Sequence, residues 1–132
     1  MAKAFLIIDD DISMCQLITF YLSPFALCFS AQHAGKALDL FKSRLRTDPF
    51  YAVFMDIEMP GFKGHDLAEL FRDAEEKYQI SPDRRFKLVM VSAYDDIMNV
   101  STSFHKNKAA CFITKPFSED SLIKELKAAF VL

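Results

Sequence analysis

The chain has 132 residues and 15.1 kDa, one domain's worth at ~100–200 residues per domain. Hydrophobic residues make up 52% and charged residues 26%, which excludes a disordered chain. With 16 basic against 18 acidic residues the net charge is −2, so the chain has no basic surplus to meet a nucleic acid.

In chain order, Phe5–Ile8 is a short apolar run of the kind that forms a strand buried on both faces. Met14, Leu17, Ile18, Tyr21 and Leu22 then fall on one helical face, closed by Pro24. Ala26–Phe29 is the second strand. Ala34, Ala37, Leu38, Phe41 and Leu45 mark a second helix ending before Pro49. Tyr51–Met55 is the third strand, and Leu67, Leu70, Phe71, Ala74 and Tyr78 mark the third helix. A polar loop, Gln79–Arg85, leads to a fourth strand at Leu88–Val91. Ile97, Val100 and Phe104 suggest a helix of low stability, diluted by Ser101, Thr102 and Ser103. Ala110–Ile113 is the fifth strand. The final helix has Ser118 as N-cap, Glu119 and Asp120 in its first turn, and Leu122, Ile123, Leu126 and Phe130 as its apolar face.

Five β-runs separated by helices predict an α/β fold: a doubly wound five-stranded parallel sheet, order 2-1-3-4-5, flavodoxin-like, with helices on both faces. No linker or repeat interrupts it, so residues 1–132 are read as one domain. The odd cysteine set (Cys15, Cys28, Cys111) lies in apolar stretches without CxxC spacing and reads as buried thiols in a reducing compartment. The early apolar run is too short for a signal h-region and no segment approaches a membrane span, so a cytoplasmic protein is expected.

In such a sheet the ligand site lies outside the carboxyl ends of the strands. Asp9, Asp10 and Asp11 follow the first strand, Asp56 ends the third, Ser92 the fourth, and Thr114, Lys115 and Pro116 follow the fifth. Clustered carboxylates repel unless protonated or neutralised, and a hard divalent ion such as Mg²⁺ suits their oxygens. A carboxylate beside such an ion and a lysine can attack phosphorus to give an acyl phosphate. Taken singly, each residue has an ordinary explanation: Asp11 and Ser13 as caps of the first helix, Ser92 as a cap, Lys115 as a surface lysine. Their joint placement at four strand ends favours phosphoryl chemistry.

The chain resembles the receiver domain of two-component response regulators over nearly its full length. The matching pieces are Phe5–Asp11, Met55-Asp56-Ile57-Glu58-Met59-Pro60-Gly61 with Gly64 beyond, Val91-Ser92-Ala93, and Thr114-Lys115-Pro116-Phe117. Ala34–Leu38 also looks like the family's entry into its second helix. The resemblance implies that Asp56 accepts a phosphoryl group from a histidine kinase or a histidine phosphotransfer protein. Asp10 would bind Mg²⁺ directly, Asp9 through water, and the Glu58 carbonyl would be a further ligand. Ser92 would contact a phosphoryl oxygen and Lys115 would pair with the acyl phosphate. Pro116 would follow a cis peptide bond, Phe112 would be the aromatic switch, and Glu58 and Tyr94 would tune the phosphoryl lifetime. Ser92 stands where threonine is commoner and Phe112 lacks the hydroxyl of the frequent tyrosine. Output would pass through the helix Asp95–Lys106, the fifth strand and the final helix to a protein target. The alternatives are a haloacid-dehalogenase-type phosphatase using Asp9 and Asp11, and a docking module that is never phosphorylated. The sequence ends after the fifth helix with nothing resembling an output domain, which leaves a stand-alone receiver and a piece of a longer regulator both open.

Overall fold

A computed structural model describes residues 3–100 and 109–132, with side chains through Met98 and again from Ala109. The order is β1 (Ala4–Ile8), α1 (Ile12–Leu22), β2 (Leu27–Ala31), α2 (Ala34–Leu45), β3 (Ala52–Met55), β4 (Glu58–Met59), β5 (Phe62–Lys63), α3 (Gly64–Lys77), β6 (Lys87–Ala93), α4 (Tyr94–Val100), β7 (Ala109–Lys115) and α5 (Glu119–Ala128). Strands β2-β1-β3-β6-β7 form one parallel sheet, which is the 2-1-3-4-5 order expected. A two-stranded antiparallel hairpin, β4–β5, was not anticipated. The helix expected over 95–106 is described only as α4, and its remainder lies outside the described residues.

Two apolar layers sandwich the sheet. One, under α2 and α3, holds Leu6, Ile8, Phe41, Met55, Phe71 and Phe86. Here the Phe41 and Phe71 rings stack at 4.1 Å and Phe86 meets both edge-on, arrangements favoured by the ring quadrupole. The other, under α1 and α5, holds Phe5, Ile7, Ile18, Phe54, Val89, Leu122 and Leu126. Because β1 and β3 face both layers, every residue in them is buried, which is why they read as unbroken apolar runs.

Three expectations needed correction. The buried side of α1 is Cys15, Ile18 and Leu22, whereas Leu17 is exposed and Phe20 is 73% exposed. The face is turned toward the small Cys15 side chain, which packs against the end of β1 and donates its thiol to the Asp9 carbonyl at 3.4 Å. Phe130 lies beyond α5 and is 77% exposed, and Val131 fills the core instead. The cause is a Schellman turn: Val131 N–H donates to Leu126 O and Phe130 N–H to Lys127 O, with Phe130 left-handed at φ 60°. Lastly, the cysteines are free thiols as expected, but only Cys15 is buried; Cys28 and Cys111 are half-buried.

Candidate phosphoryl-transfer site

Parallel register brings the site residues to one sheet edge. Ile8 pairs with both Ala31 and Met55, so Asp9 and Asp56 leave the sheet at the same level. The ladder continues one step further, with Asp9 N–H on Ala31 O at 3.2 Å and Asp56 N–H on Ile8 O at 3.1 Å. On the other side, Ser92 pairs with Thr114 and Ala93 with Lys115. The Lys115–Pro116 peptide is cis.

Lys115 Nζ lies 2.6 Å from Asp9 Oδ2 and 3.2 Å from Asp56 Oδ2. Ser92, wholly buried, donates its hydroxyl to Asp56 Oδ1 at 2.5 Å and accepts the Ile57 N–H at 2.7 Å. Glu58 N–H also reaches Asp56 Oδ1, at 3.3 Å. Asp9 is 2% exposed and has its second oxygen on the Asp11 N–H at 3.0 Å. Asp11 itself caps α1, accepting Ser13 N–H at 2.9 Å and Met14 N–H at 3.4 Å. Asp10 is exposed, and Asp56 is between these extremes.

The charges are strongly coupled. Burial raises the Asp9 pKa, Lys115 counteracts this, and the negative Asp56 adds to the rise. Burial also works against the Lys115 ammonium, but the Asp9 hydrogen bond and the charges of Asp56 and Asp9 outweigh it and hold its pKa above the ordinary lysine value. Among the described residues, carboxylate oxygens of Asp9, Asp10 and Asp56 come within 4.8 Å of one another. Three carboxylates face one ammonium, a surplus of negative charge that a divalent cation would balance, and their hard oxygen donors fit Mg²⁺.

The structure thus joins Asp9, Asp10, Asp56, Ser92 and Lys115. The Glu58 carboxylate stands outside the acidic group and is held by Lys63 at 2.8 and 3.0 Å, while the Glu58 backbone N–H, not its carbonyl, is what contacts Asp56. Ser92 was expected to approach only a modified Asp56, yet it already bonds the free carboxylate, because its buried hydroxyl needs both a donor and an acceptor. Tyr94 opens α4 and is exposed. One contributor had escaped sequence reasoning, and a second, Gly64, was seen only as part of the resemblance. Lys63 was announced only by the Pro60-Gly61 turn between it and Glu58, a hairpin signal. Gly64 admits the backbone of Asp56, whose carbonyl oxygen would lie 2.1 Å from any Cβ there.

A family model described as the response regulator receiver domain matches residues 5–127. Regulatory protein VanRB of Enterococcus faecalis is 24% identical over 128 residues, covering 97% of this chain and 52% of that protein. The DNA-binding response regulator MtrA of Mycobacterium tuberculosis is 25% identical over 128 residues, covering 97% and 50%. The chain therefore spans about half the length of these relatives. The structure of the chemotaxis response regulator CheY4 of Vibrio cholerae superposes with a TM-score of 0.77 at 19% identity, covering 98% of this chain and 99% of that one, a likeness of fold.

Proposed function

The chain belongs to the response regulator receiver family, and we propose that residues 1–132 act as one receiver that takes a phosphoryl group onto Asp56. The observation that carries this is the division of labour around one carboxylate. Ser92 serves one Asp56 oxygen and Lys115 the other, while buried Asp9 has both oxygens engaged within the fold. Both carboxylates have their two oxygens engaged, but the Asp56 side chain is the less buried, 12% exposed against 4% for Asp9; Asp56 is thus the more accessible nucleophile, which disfavours the dehalogenase-type reading through Asp9.

In the transfer, an Asp56 oxygen attacks phosphorus and the P–N bond to the donor's histidine breaks. The bonding pair stays on the imidazole, which takes up a proton. Asp9, Asp10, Asp56 and the Glu58 carbonyl would hold Mg²⁺, which when bound neutralises phosphoryl oxygens. Lys115 and Ser92 then pass from carboxylate to phosphoryl oxygens. Such positioned donors, aimed where charge collects, supply most of what phosphoryl transfer asks of a protein.

Receiver domains meet histidine kinases and downstream effectors. For this chain the output face is proposed as residues 95–106, of which α4 is described as far as Val100, together with β7 and α5. Exposed Tyr94 and Met98 on α4 support it, as does half-buried Phe112 on β7, packed on the layer that includes Met90 and Ile97. Among the described residues no helix is long and apolar enough to cross a membrane, and a cytoplasmic setting fits that reading.

The test is intact-mass spectrometry after incubation with acetyl phosphate and Mg²⁺, on wild type, Asp56→Asn and Asp9→Asn. One phosphoryl adduct that is lost in Asp56→Asn supports the proposal. An adduct that survives in Asp56→Asn and vanishes in Asp9→Asn overturns it in favour of the phosphatase-type nucleophile.

A further inference from the structure

Glu58 and Lys63 are the directly opposed pair of the β4–β5 hairpin. The turn between them has Gly61 at φ 74°, left-handed backbone that suits glycine and, after Pro60, a type II turn. Lys63 Nζ contacts both carboxylate oxygens of Glu58, at 2.8 and 3.0 Å. Meanwhile the Glu58 backbone N–H rests on Asp56 Oδ1. Glu58 is therefore anchored at the acceptor by its main chain, with its carboxylate committed elsewhere.

A free carboxylate on that anchor would be within reach of water approaching an acyl phosphate on Asp56. It could take a proton from that water as the oxygen attacks phosphorus. The new P–O bond forms, the bond from phosphorus to the Asp56 oxygen breaks, and the pair returns to the Asp56 carboxylate. Inorganic phosphate leaves, and Glu58 passes its proton to solvent. With both oxygens on Lys63, this base is withheld.

We propose that Lys63 prolongs the phosphoryl lifetime on Asp56 by sequestering the Glu58 carboxylate, a positioning role that rests on Asp56 being the acceptor. An exposed ion pair of this kind is closed between roughly six times in ten and five times in six. Losing the lysine therefore raises the free carboxylate population about two- to sixfold, and base-assisted hydrolysis with it.

The experiment loads wild type, Lys63→Met, Lys63→Arg, Glu58→Gln and the Lys63→Met/Glu58→Gln double variant with acetyl phosphate and Mg²⁺. The donor is then removed and decay of the adduct is followed by intact mass, with thermal melting of each variant alongside. Lys63→Met is expected to decay about two- to sixfold faster with an unchanged melt. Lys63→Arg, which keeps two donors, should stay within about twofold of wild type. In the Glu58→Gln background, Lys63→Met should have no effect, which a purely structural role would not produce. The proposal is overturned if Lys63→Met decays at or below the wild-type rate, or accelerates equally in the Glu58→Gln background. If the wild type takes up no phosphoryl group, or the adduct survives in Asp56→Asn, the acceptor assignment itself fails and this inference falls with it.

Discussion

Replacing Gly64 with alanine should damage stability and phosphoryl uptake together. Gly64 starts α3 and is buried, with its N–H on the Ile57 carbonyl at 2.6 Å. A Cβ there would lie 2.1 Å from the Asp56 carbonyl oxygen and 3.0 Å from both Asp56 C and Ile57 Cα. Ordinary contact begins at 3.4 Å, so the backbone of the acceptor or the start of α3 must give by about 1.3 Å (3.4 less 2.1). All three obstacles are main-chain atoms, which cannot move aside as a flexible side chain would. Overpacking of this kind costs about 1–3 kcal/mol, partly offset by about 0.4–1 kcal/mol from restricting the unfolded chain. A net loss of about 1.3 kcal/mol lowers the melting temperature of a domain this size by roughly 4–6 °C. Because a misplacement of about 1 Å can cost ~100-fold in rate, uptake from acetyl phosphate should fall far more than stability does. Thermal unfolding by circular dichroism and time-resolved mass spectrometry measure the two effects. A Gly64→Ala protein that melts with wild type and is phosphorylated at the wild-type rate would refute the close-approach argument.

Other perturbations follow from the same geometry. Asp10→Ala should weaken Mg²⁺ binding by titration calorimetry, since an exposed acid of the cluster is lost; equal affinity would count against the proposed ion site. Ser92→Ala removes both the donor to Asp56 Oδ1 and the acceptor of the buried Ile57 N–H, and should cost about 1–3 kcal/mol in denaturant melts. Glu75, 1% exposed, is raised above its ordinary pKa of 4.5 by burial, despite the Phe86 N–H at 2.8 Å and Arg72 at 3.0 Å. The folded chain then holds its proton more tightly than the unfolded one, so its contribution to stability is lost as pH rises above 4.5 through the folded value. Wild type should therefore lose melting temperature relative to Glu75→Gln as pH rises from about 4 to about 7, and a constant gap would contradict this.

The sheet was legible because burial on both faces leaves its central strands as unbroken apolar runs, and strand order followed from the alternation of strands and helices. The site was legible for a related reason: parallel strands deliver their last residues to one edge, so Asp9, Asp56, Ser92 and Lys115 meet whatever the helices do. Helix faces were harder to place. A cysteine counts little in an apolar stripe, and Cys15 turned α1 by one position. Helix ends were also hidden, because α3 and α5 close in Schellman turns with Gln79 and Phe130 in the left-handed position rather than the usual glycine. The Glu58–Lys63 pair depends on a two-residue turn within what read as one motif, and periodicity has nothing to register over so short a span.

The central claim is that Asp56 is the residue that becomes phosphorylated. Borohydride reduces an aspartyl phosphate to homoserine, which fixes the site as a mass change at one residue. After acetyl phosphate and Mg²⁺, borohydride trapping and tandem mass spectrometry should place homoserine at residue 56 and leave Asp9, Asp10 and Asp11 as aspartate. Homoserine at residue 9, or at none of these positions in a protein that carries the phosphoryl mass, would contradict the account.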